Sequence, residues 1–272
     1  MSQTELCPVP NHERGEAMPR TARRRSASDI YHVIARGINK EPIFKQKREK
    51  NNLIRLLLKH LKDHDIEILA YVIMSTHFHI LIRVDLKLLS NYLAIVLAEF
   101  AEYYNYKHNR NGHVFQDRFK SECVETERYF WNCLRYIHMN PVNANLVKNP
   151  LNYNFSSLKE YQTEKSRIIH PKAIEIYKSE FTDFEEYLEF HSKGQKQVFI
   201  DVPEEMEMQL VKAAVMILKQ KAHILGLEAP YEIIENRELR ERFKVQLREE
   251  LKLTKAKTER LYRDVKSCII GK

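Results

Sequence analysis

Cysteine is scarce in this sequence, and its spacing forms no motif. Cys7, Cys123, Cys133 and Cys268 are scattered, and no two of them make a CxxC pair. They support neither a zinc ribbon nor a disulfide framework. Because dispersed cysteines fit a reduced compartment best, we expect a cytoplasmic protein.

Long apolar runs are absent as well. No stretch approaches the ~18 uninterrupted apolar residues that a membrane-spanning helix needs. The nearest one, YLAIVLAEFAEYY, is interrupted at helical spacing by Glu99 and Glu102. The opening MSQTELCPVPNHERGE contains no apolar core of a signal peptide. We therefore expect no signal peptide and no membrane partner.

Basic residues outnumber acidic ones. The 272 residues include 45 Lys and Arg against 37 Asp and Glu, which gives a net charge of +8. This excess favours a polyanionic partner such as nucleic acid, although many basic proteins bind none. The length of 272 residues is enough for one large domain or two smaller ones, each with its own core, and the 43% of hydrophobic residues is ordinary for a globular protein.

Apolar periodicity predicts an alternation of strands and helices up to about residue 140. The predicted order is strand, helix, strand, strand, helix, strand, helix, over 30–37, 45–64, two strands within 66–84, then 88–105, 114–125 and 126–139. Pro141 closes the last helix in this prediction. The order predicts an α+β fold in which helices pack on an antiparallel sheet, in a ferredoxin-like or palm-like arrangement.

Composition divides the chain into four parts. Residues 1–27 form a basic N-terminal arm, which either contacts phosphate or is a solvated tail; its arginines are Arg20, Arg23, Arg24 and Arg25. The α+β domain spans 28–162, and a linker with short helices spans 163–200. Amphipathic stretches then predict a small all-helical C-terminal domain over 201–272.

Two histidines interrupt the apolar stretch YVIMSTHFHILIRV, residues 71–84. In a strand, side chains two positions apart point to the same face, so His77 and His79 project side by side and Phe78 turns away. A pair of neutral imidazoles can hold a divalent cation, but such a site needs further ligands. Taken alone, the pattern is more often two structural histidines than a metal site.

The helical sequence RYIHMNPV offers a third ligand and a nucleophile. Tyr136 and Asn140 are four residues apart and therefore lie on one helix face. The amide oxygen of Asn140 suits Mg²⁺ or Mn²⁺. A cation that polarises a phosphate would let the Tyr136 phenol attack it and form a phosphotyrosine. Because a residue before proline is disfavoured in the α region, Asn140 is expected at the end of the helix or as its cap.

Five blocks of the chain occur together in a specific order. They are YHVIARGINKEPIF, MSTHFHILIR, NRNGHVFQDRFKSECVE, RYIHMNPVNANLV and NYNFSSLKEY, within about Ser26 to Tyr161. In this order and spacing they resemble the single-tyrosine HUH transposases (HUH meaning His-hydrophobic-His). More narrowly, they resemble the IS200-like branch that includes the REP-associated tyrosine transposases.

The resemblance implies a transposase that cleaves and rejoins single-stranded, often hairpin-marked DNA through a covalent 5′-phosphotyrosine, with Mg²⁺ or Mn²⁺. It places His77 and His79 on the metal-binding histidines and Tyr136 on the nucleophile. Asn140 falls where the family has a third polar ligand, often glutamine. The resemblance also implies a homodimer, in which a helix of the partner sometimes completes the site. The turn before His77 departs from the family, since Ser-Thr replaces the usual Pro-Asn or Ser-Asn.

Basic side chains are expected to hold the DNA through its phosphates. The candidates are Arg83, Arg110, Arg118 and Lys120. The C-terminal helices resemble a longer version of the family that ends in a helix-turn-helix. The turn in LKLTKAKTERLY lacks the usual glycine, so DNA contact, a solvated charged face and dimerisation all stay open for this region.

Three other functions compete with a transposase. A domesticated, non-mobilising protein could bind or nick hairpin or REP DNA, although the intact His77, His79 and Tyr136 argue against binding without cutting. A two-histidine phosphoesterase would need two separated His-x-Thr/Ser motifs, and the sequence has a single histidine pair. An RNA-binding sheet would need exposed aromatic side chains on adjacent strands, whereas the apolar residues here are those of a core.

Overall fold

The computed structural model describes residues 23–61, 65–193 and 197–270. Most of the predicted N-terminal arm, including Arg20, therefore lies outside the described residues. Within the described part, no helix is both long enough and apolar enough to cross a membrane.

The first domain is built on a four-stranded antiparallel sheet with the strand order β2-β3-β1-β4. The strands are β1 (Ile30–Arg36), β2 (Glu67–Ile73), β3 (His77–Arg83) and β4 (Lys120–Cys123). β1 and β3 are central, and β2 and β3 form a hairpin in which Ile73 is opposite Phe78. This sheet with its packed helices confirms the predicted α+β fold class.

Helices cover both faces of the sheet. They are α1 (Lys47–Leu61), α2 (Leu86–His108) and α3 (Glu127–Asn143). Phe78 points to the face that α2 covers, where the Phe44 ring lies 6.0 Å from Phe78 and 4.9 Å from Phe100. His77 and His79 point to the opposite face, against α3. The alternation of side chains along β3 therefore separates the core from the histidine pair, as predicted.

Helix α3 runs past its proline, contrary to the prediction. Thr126 caps the start by accepting a hydrogen bond from the Tyr129 N–H, and the helix continues through Pro141 to Asn143. Because Pro141 lies in the last turn, its missing N–H removes a single helical hydrogen bond. The Ala144 N–H still donates to the Asn140 carbonyl. Asn140 is thus a helical residue and neither the last residue nor a cap.

The outer edge of β2 is covered by the chain that follows α3. The Ile73 N–H donates to the Phe155 carbonyl at 2.9 Å, and the His170 N–H donates to the Ile68 carbonyl at 2.7 Å. This region contains α4 (Leu158–Thr163), α5 (Pro171–Glu180) and α6 (Phe184–Ser192). The predicted linker, 163–200, thus contains α5 and α6, whose apolar side chains join the core of the first domain.

The C-terminal helices form a second, smaller core. They are α7 (Pro203–Ile224), α8 (Tyr231–Glu235), α9 (Arg237–Glu250) and α10 (Lys255–Ile270). Their buried side chains include Ile217, Ile233, Phe243, Leu247 and Val265. Gly226, with φ of +66°, follows the end of α7 in a conformation that favours glycine. The first turn of α7 does not face this core but contacts the histidine pair.

Candidate active site

The histidine pair on β3 is fully buried, and the Nδ1 atom of each ring has a hydrogen-bond partner. His77 and His79 have 1% and 0% of their surface exposed, and their ring centroids are 5.0 Å apart. Nδ1 of His77 lies 2.9 Å from the Thr76 hydroxyl, and Nδ1 of His79 lies 2.9 Å from Nε2 of His32. Both Nε2 atoms are left facing a common space. Such hydrogen bonds to the second ring nitrogen orient imidazoles that bind metals.

Burial also fixes the protonation of these rings. It lowers the pKa of His77 well below its usual value, and the neighbouring His79 lowers it further. Burial lowers the pKa of His79 to about 3. Both imidazoles are therefore neutral at pH 7, which is the form that binds a cation.

Helix α3 places Tyr136 and Asn140 over the histidine pair. The Tyr136 and His79 ring centroids are 5.6 Å apart and edge-on. The Asn140 amide N–H donates to the Tyr136 hydroxyl at 3.2 Å and lies 3.5 Å from Nε2 of His79. Among the described residues, Nε2 of His77 and Oδ1 of Asn140 are buried without any hydrogen-bond partner. The structure thus brings together the four residues that the sequence nominated.

Two acidic residues from the start of α7 complete the cluster. Oδ1 of Asp201 lies 3.6 Å from Nε2 of His77 and 3.4 Å from Nε2 of His79. Oε2 of Glu205 lies 3.6 Å from Nε2 of His77. One ligand atom from each of these four residues lies within 4.8 Å of all the others.

The two carboxyl groups have raised pKa values. Burial raises the pKa of Asp201 to about 7. Burial, followed by the charge of Asp201, raises the pKa of Glu205 to about 8. Two carboxylates this close disfavour each other's ionisation, so the pair retains a proton near neutral pH unless a cation is present.

Residues just before and within α7 also cover the tyrosine. The Gln209 amide N–H donates to the Tyr136 hydroxyl at 3.0 Å, while its carbonyl accepts the Phe199 N–H at 2.8 Å. The Phe199 ring stacks on Tyr136 with a centroid distance of 5.0 Å and an interplanar angle of 22°. Tyr136 is consequently only 3% exposed. A cavity of about 480 Å³ between α3 and α7 is lined by Tyr136, Asn140 and Glu205, among other residues.

Two of the four predicted DNA-binding residues line an open groove. Arg118 and Lys120 are exposed and, with Arg23, border a groove of about 1140 Å³ between α2 and the segment 112–121. We call this the basic groove. A smaller cleft of about 90 Å³ shares Arg118 and Lys120 with it and is also lined by Asp201. The basic groove therefore adjoins a cleft that reaches Asp201, beside the histidine pair.

The other two predicted DNA-binding residues are engaged in ion pairs. Arg83 donates to Glu67 at 2.9 Å, at the end of β3 opposite to His77. Arg83 lies six positions after His77 in an extended strand, which is a distance of about 20 Å. Arg110 pairs with Glu41 in the loop after α2. The structure does not bring Arg83 to the site.

Sequence reasoning missed several residues of this site, namely His32, Phe199, Asp201, Glu205 and Gln209. The acidic residues stand in DVPEE, in which proline is typical of the first position of a helix. Acidic residues are common in the first turn of any helix, so this pattern does not mark a ligand. His32 lies in an apolar strand, IYHVIAR, as His77 and His79 do. A third histidine in a strand predicted to be buried was therefore the available clue to His32.

The comparisons with known proteins agree with the motif blocks. Residues 26–140 match the family described as "Transposase IS200 like". This match over residues 26–140 confirms the resemblance to the IS200-like transposases. No curated protein matches the chain. One solved structure, a REP-associated tyrosine transposase bound to a REP hairpin, is 17% identical, covers 57% of this chain and 89% of its own, and has a TM-score of 0.44.

Proposed function

We propose that the protein is a DNA transposase that cleaves and rejoins single-stranded or hairpin DNA through Tyr136. The observation that supports this most directly is the position of the phenol. It lies on the same face of α3 as Asn140, and this face packs against His79 of the buried histidine pair. The match of residues 26–140 to the IS200-like transposase family supports the same reaction class.

In the proposed reaction, the Tyr136 oxygen attacks the scissile phosphorus and loses its proton. The bond from phosphorus to the 3′ oxygen breaks, and that oxygen takes up a proton. The products are a 5′-phosphotyrosine and a free 3′-hydroxyl. Because the phosphotyrosine ester preserves the energy of the phosphodiester, a 3′-hydroxyl can reverse the reaction and rejoin the strand without a nucleotide cofactor.

The residues at the site fit the divalent cation that the family implies. Nε2 of His77 and Oδ1 of Asn140 are buried polar atoms without partners among the described residues, and both rings of the pair are neutral. His77, His79 and Asn140 would hold Mg²⁺ or Mn²⁺, as the sequence suggests. When bound, the cation would supply polarisation of the scissile phosphate.

The adduct with DNA is the decisive measurement. The protein is incubated with a labelled single-stranded hairpin library and Mn²⁺ or Mg²⁺, and the adducts that persist in denaturant are counted. We expect Tyr136→Phe to abolish the adduct. Tyr129→Phe, on the same helix and 5.3 Å from the Phe199 ring, is the matched control and should keep it. An adduct that survives in Tyr136→Phe would refute the assignment of the nucleophile.

Replacing both His77 and His79 with Ala tests the metal separately. We expect cleavage to be lost while DNA binding through the basic groove persists. Equal cleavage in this variant would remove the metal from the proposal.

A second candidate is a domesticated protein that binds or nicks hairpin DNA without mobilising it. The burial of Tyr136 beneath Phe199 and Gln209 favours binding without cutting, because these two side chains cover the phenol in this arrangement. Hairpin binding with no adduct under any condition would support it. The expected homodimer stays a prediction, which light scattering of the purified protein would test.

A further inference from the structure

The C-terminal helical domain reaches the histidine pair through its first residues. Asp201 immediately precedes α7 and Glu205 lies in its first turn. Both carboxyl groups point at Nε2 of His77, and Asp201 also points at Nε2 of His79. Neither residue lies within 26–140, so the family match does not account for them.

The spacing of these atoms is that of ligands around one cation. Two atoms that each lie about 2.1 Å from a Mg²⁺ ion are about 3 Å apart at right angles and about 4 Å apart when opposite. The three nitrogen-to-oxygen distances of 3.4–3.6 Å lie between these two values, so small side-chain shifts would bring these atoms around one cation. An independent observation is the unpartnered Nε2 of His77, which is 1% exposed and faces the same space.

The contacts of Asp201 and Glu205 differ from those of Glu204, which lies between them in the sequence. Oδ2 of Asp201 lies 3.4 Å from the Gln209 amide, and Asp201 is 2% exposed. Glu204, between the two acids, turns to the surface and forms ion pairs with Lys40 and Arg36. The positive charges of Lys40 and Arg36 therefore explain the position of Glu204. In the described part of the chain, the ion pairs of Asp201 and Glu205 are with histidines only.

We infer that Asp201 and Glu205 are ligands of the same divalent cation as His77 and His79, so that the bound cation joins the C-terminal helical domain to the α+β domain. The inference rests on the proposed function because it uses the same histidine pair. Carboxylate oxygens are hard ligands, which favours Mg²⁺ or Mn²⁺ over softer metals.

The first test measures Mn²⁺ binding to the full-length protein by electron paramagnetic resonance, after a chelator has removed bound metal. We expect the double variant Asp201→Asn, Glu205→Gln to bind Mn²⁺ at least ~10-fold more weakly, since even partners outside the ligand sphere change affinity 10- to 100-fold. The control is Glu207→Gln, because Glu207 is exposed on the same helix and pairs with Arg260. It should bind as the wild type does.

The second test uses hydrogen exchange, and its first measurement needs only the wild-type protein. Mg²⁺ should slow amide exchange in residues 203–209 of the wild-type protein, because the cation would hold the first turns of α7 in place. The double variant should lose this effect while keeping the wild-type circular dichroism spectrum. Exchange in 203–209 that does not respond to Mg²⁺ would overturn the inference even if the double variant fails to fold.

The outcomes separate this inference from the proposed function. Wild-type Mn²⁺ affinity in the folded double variant would overturn the role of Asp201 and Glu205. If His77→Ala, His79→Ala nevertheless loses Mn²⁺, the metal site of the proposed function stands. If that variant also binds Mn²⁺ normally, both proposals about the metal fail.

Discussion

His191 should make this protein sensitive to mild acid. The ring is 3% exposed, and its Nδ1–H donates to the Tyr187 carbonyl at 2.7 Å. Its Nε2 lies 3.0 Å from Nδ1 of His138, whose own Nε2 lies 2.8 Å from the Ser157 hydroxyl. Because a carbonyl can only accept, Nε2 of His191 is the acceptor for the His138 N–H. A second proton on His191 would face this N–H without an acceptor.

The magnitude follows from the pKa of His191. Burial lowers this pKa from 6.5 to about 4, with the Tyr187 carbonyl acting in the opposite direction and Arg135 lowering it slightly. A histidine whose folded pKa is depressed stabilises the fold fully above the unfolded pKa, and this stability is lost as the pH falls towards 4. Between pH 7 and pH 5 the linkage removes about 2 kcal/mol. Since small domains are stable by about 5–15 kcal/mol, this is a substantial fraction.

Urea denaturation at pH 7, 6 and 5 would measure the effect. His191→Gln removes the titrating group and keeps a polar side chain. We expect the free energy of unfolding of the wild type to fall by about 2 kcal/mol more than that of the variant over this interval. All other titrating groups are shared by the two proteins and cancel to first order. Parallel curves for the two proteins would refute the reasoning.

Three further changes test other parts of the structure. Glu160→Gln should destabilise the protein by about 1–3 kcal/mol in urea denaturation, because this carboxylate accepts three consecutive backbone N–H groups at 2.6, 2.8 and 3.2 Å; an unchanged midpoint would contradict its role. Gly37→Ala should lower the melting temperature, since a Cβ there would overlap a backbone oxygen four residues later; an equal melting temperature would show that the turn adapts. Removing Arg118 and Lys120 together should reduce the slope of log affinity against log salt by about 0.7 for each lost contact to single-stranded DNA. Arg83→Ala is the matched control, and an equal loss there would contradict the assignment of the groove.

The local parts of the site could be predicted from the sequence. His77 and His79 share a face because strand geometry has a period of two, and Tyr136 and Asn140 share one because helices repeat every 3.6 residues. The end of α3 was mispredicted at Met139, because the loss of one backbone hydrogen bond at Pro141 does not stop the helix, which continues for two more residues to Asn143.

The remaining parts depend on contacts between distant segments. Asp201 lies 122 positions after His79, and no local pattern predicts that α7 begins beside β3. The same holds for Arg83, whose partner Glu67 is 16 positions earlier on β2. Charge and motif identify candidates in the sequence, and the packing of the two domains decides which of them meet.

The covered edge of β2 restricts how two copies of this chain can associate. Since Phe155, Ser157 and His170 already bond to that edge, a second copy cannot extend the sheet there. The opposite edge is β4, only four residues long, and it begins at Lys120 beside the basic groove. A dimer joined through the edge of β4 would therefore occupy the side on which DNA is expected. Dimerisation through this edge and DNA binding would then directly affect each other.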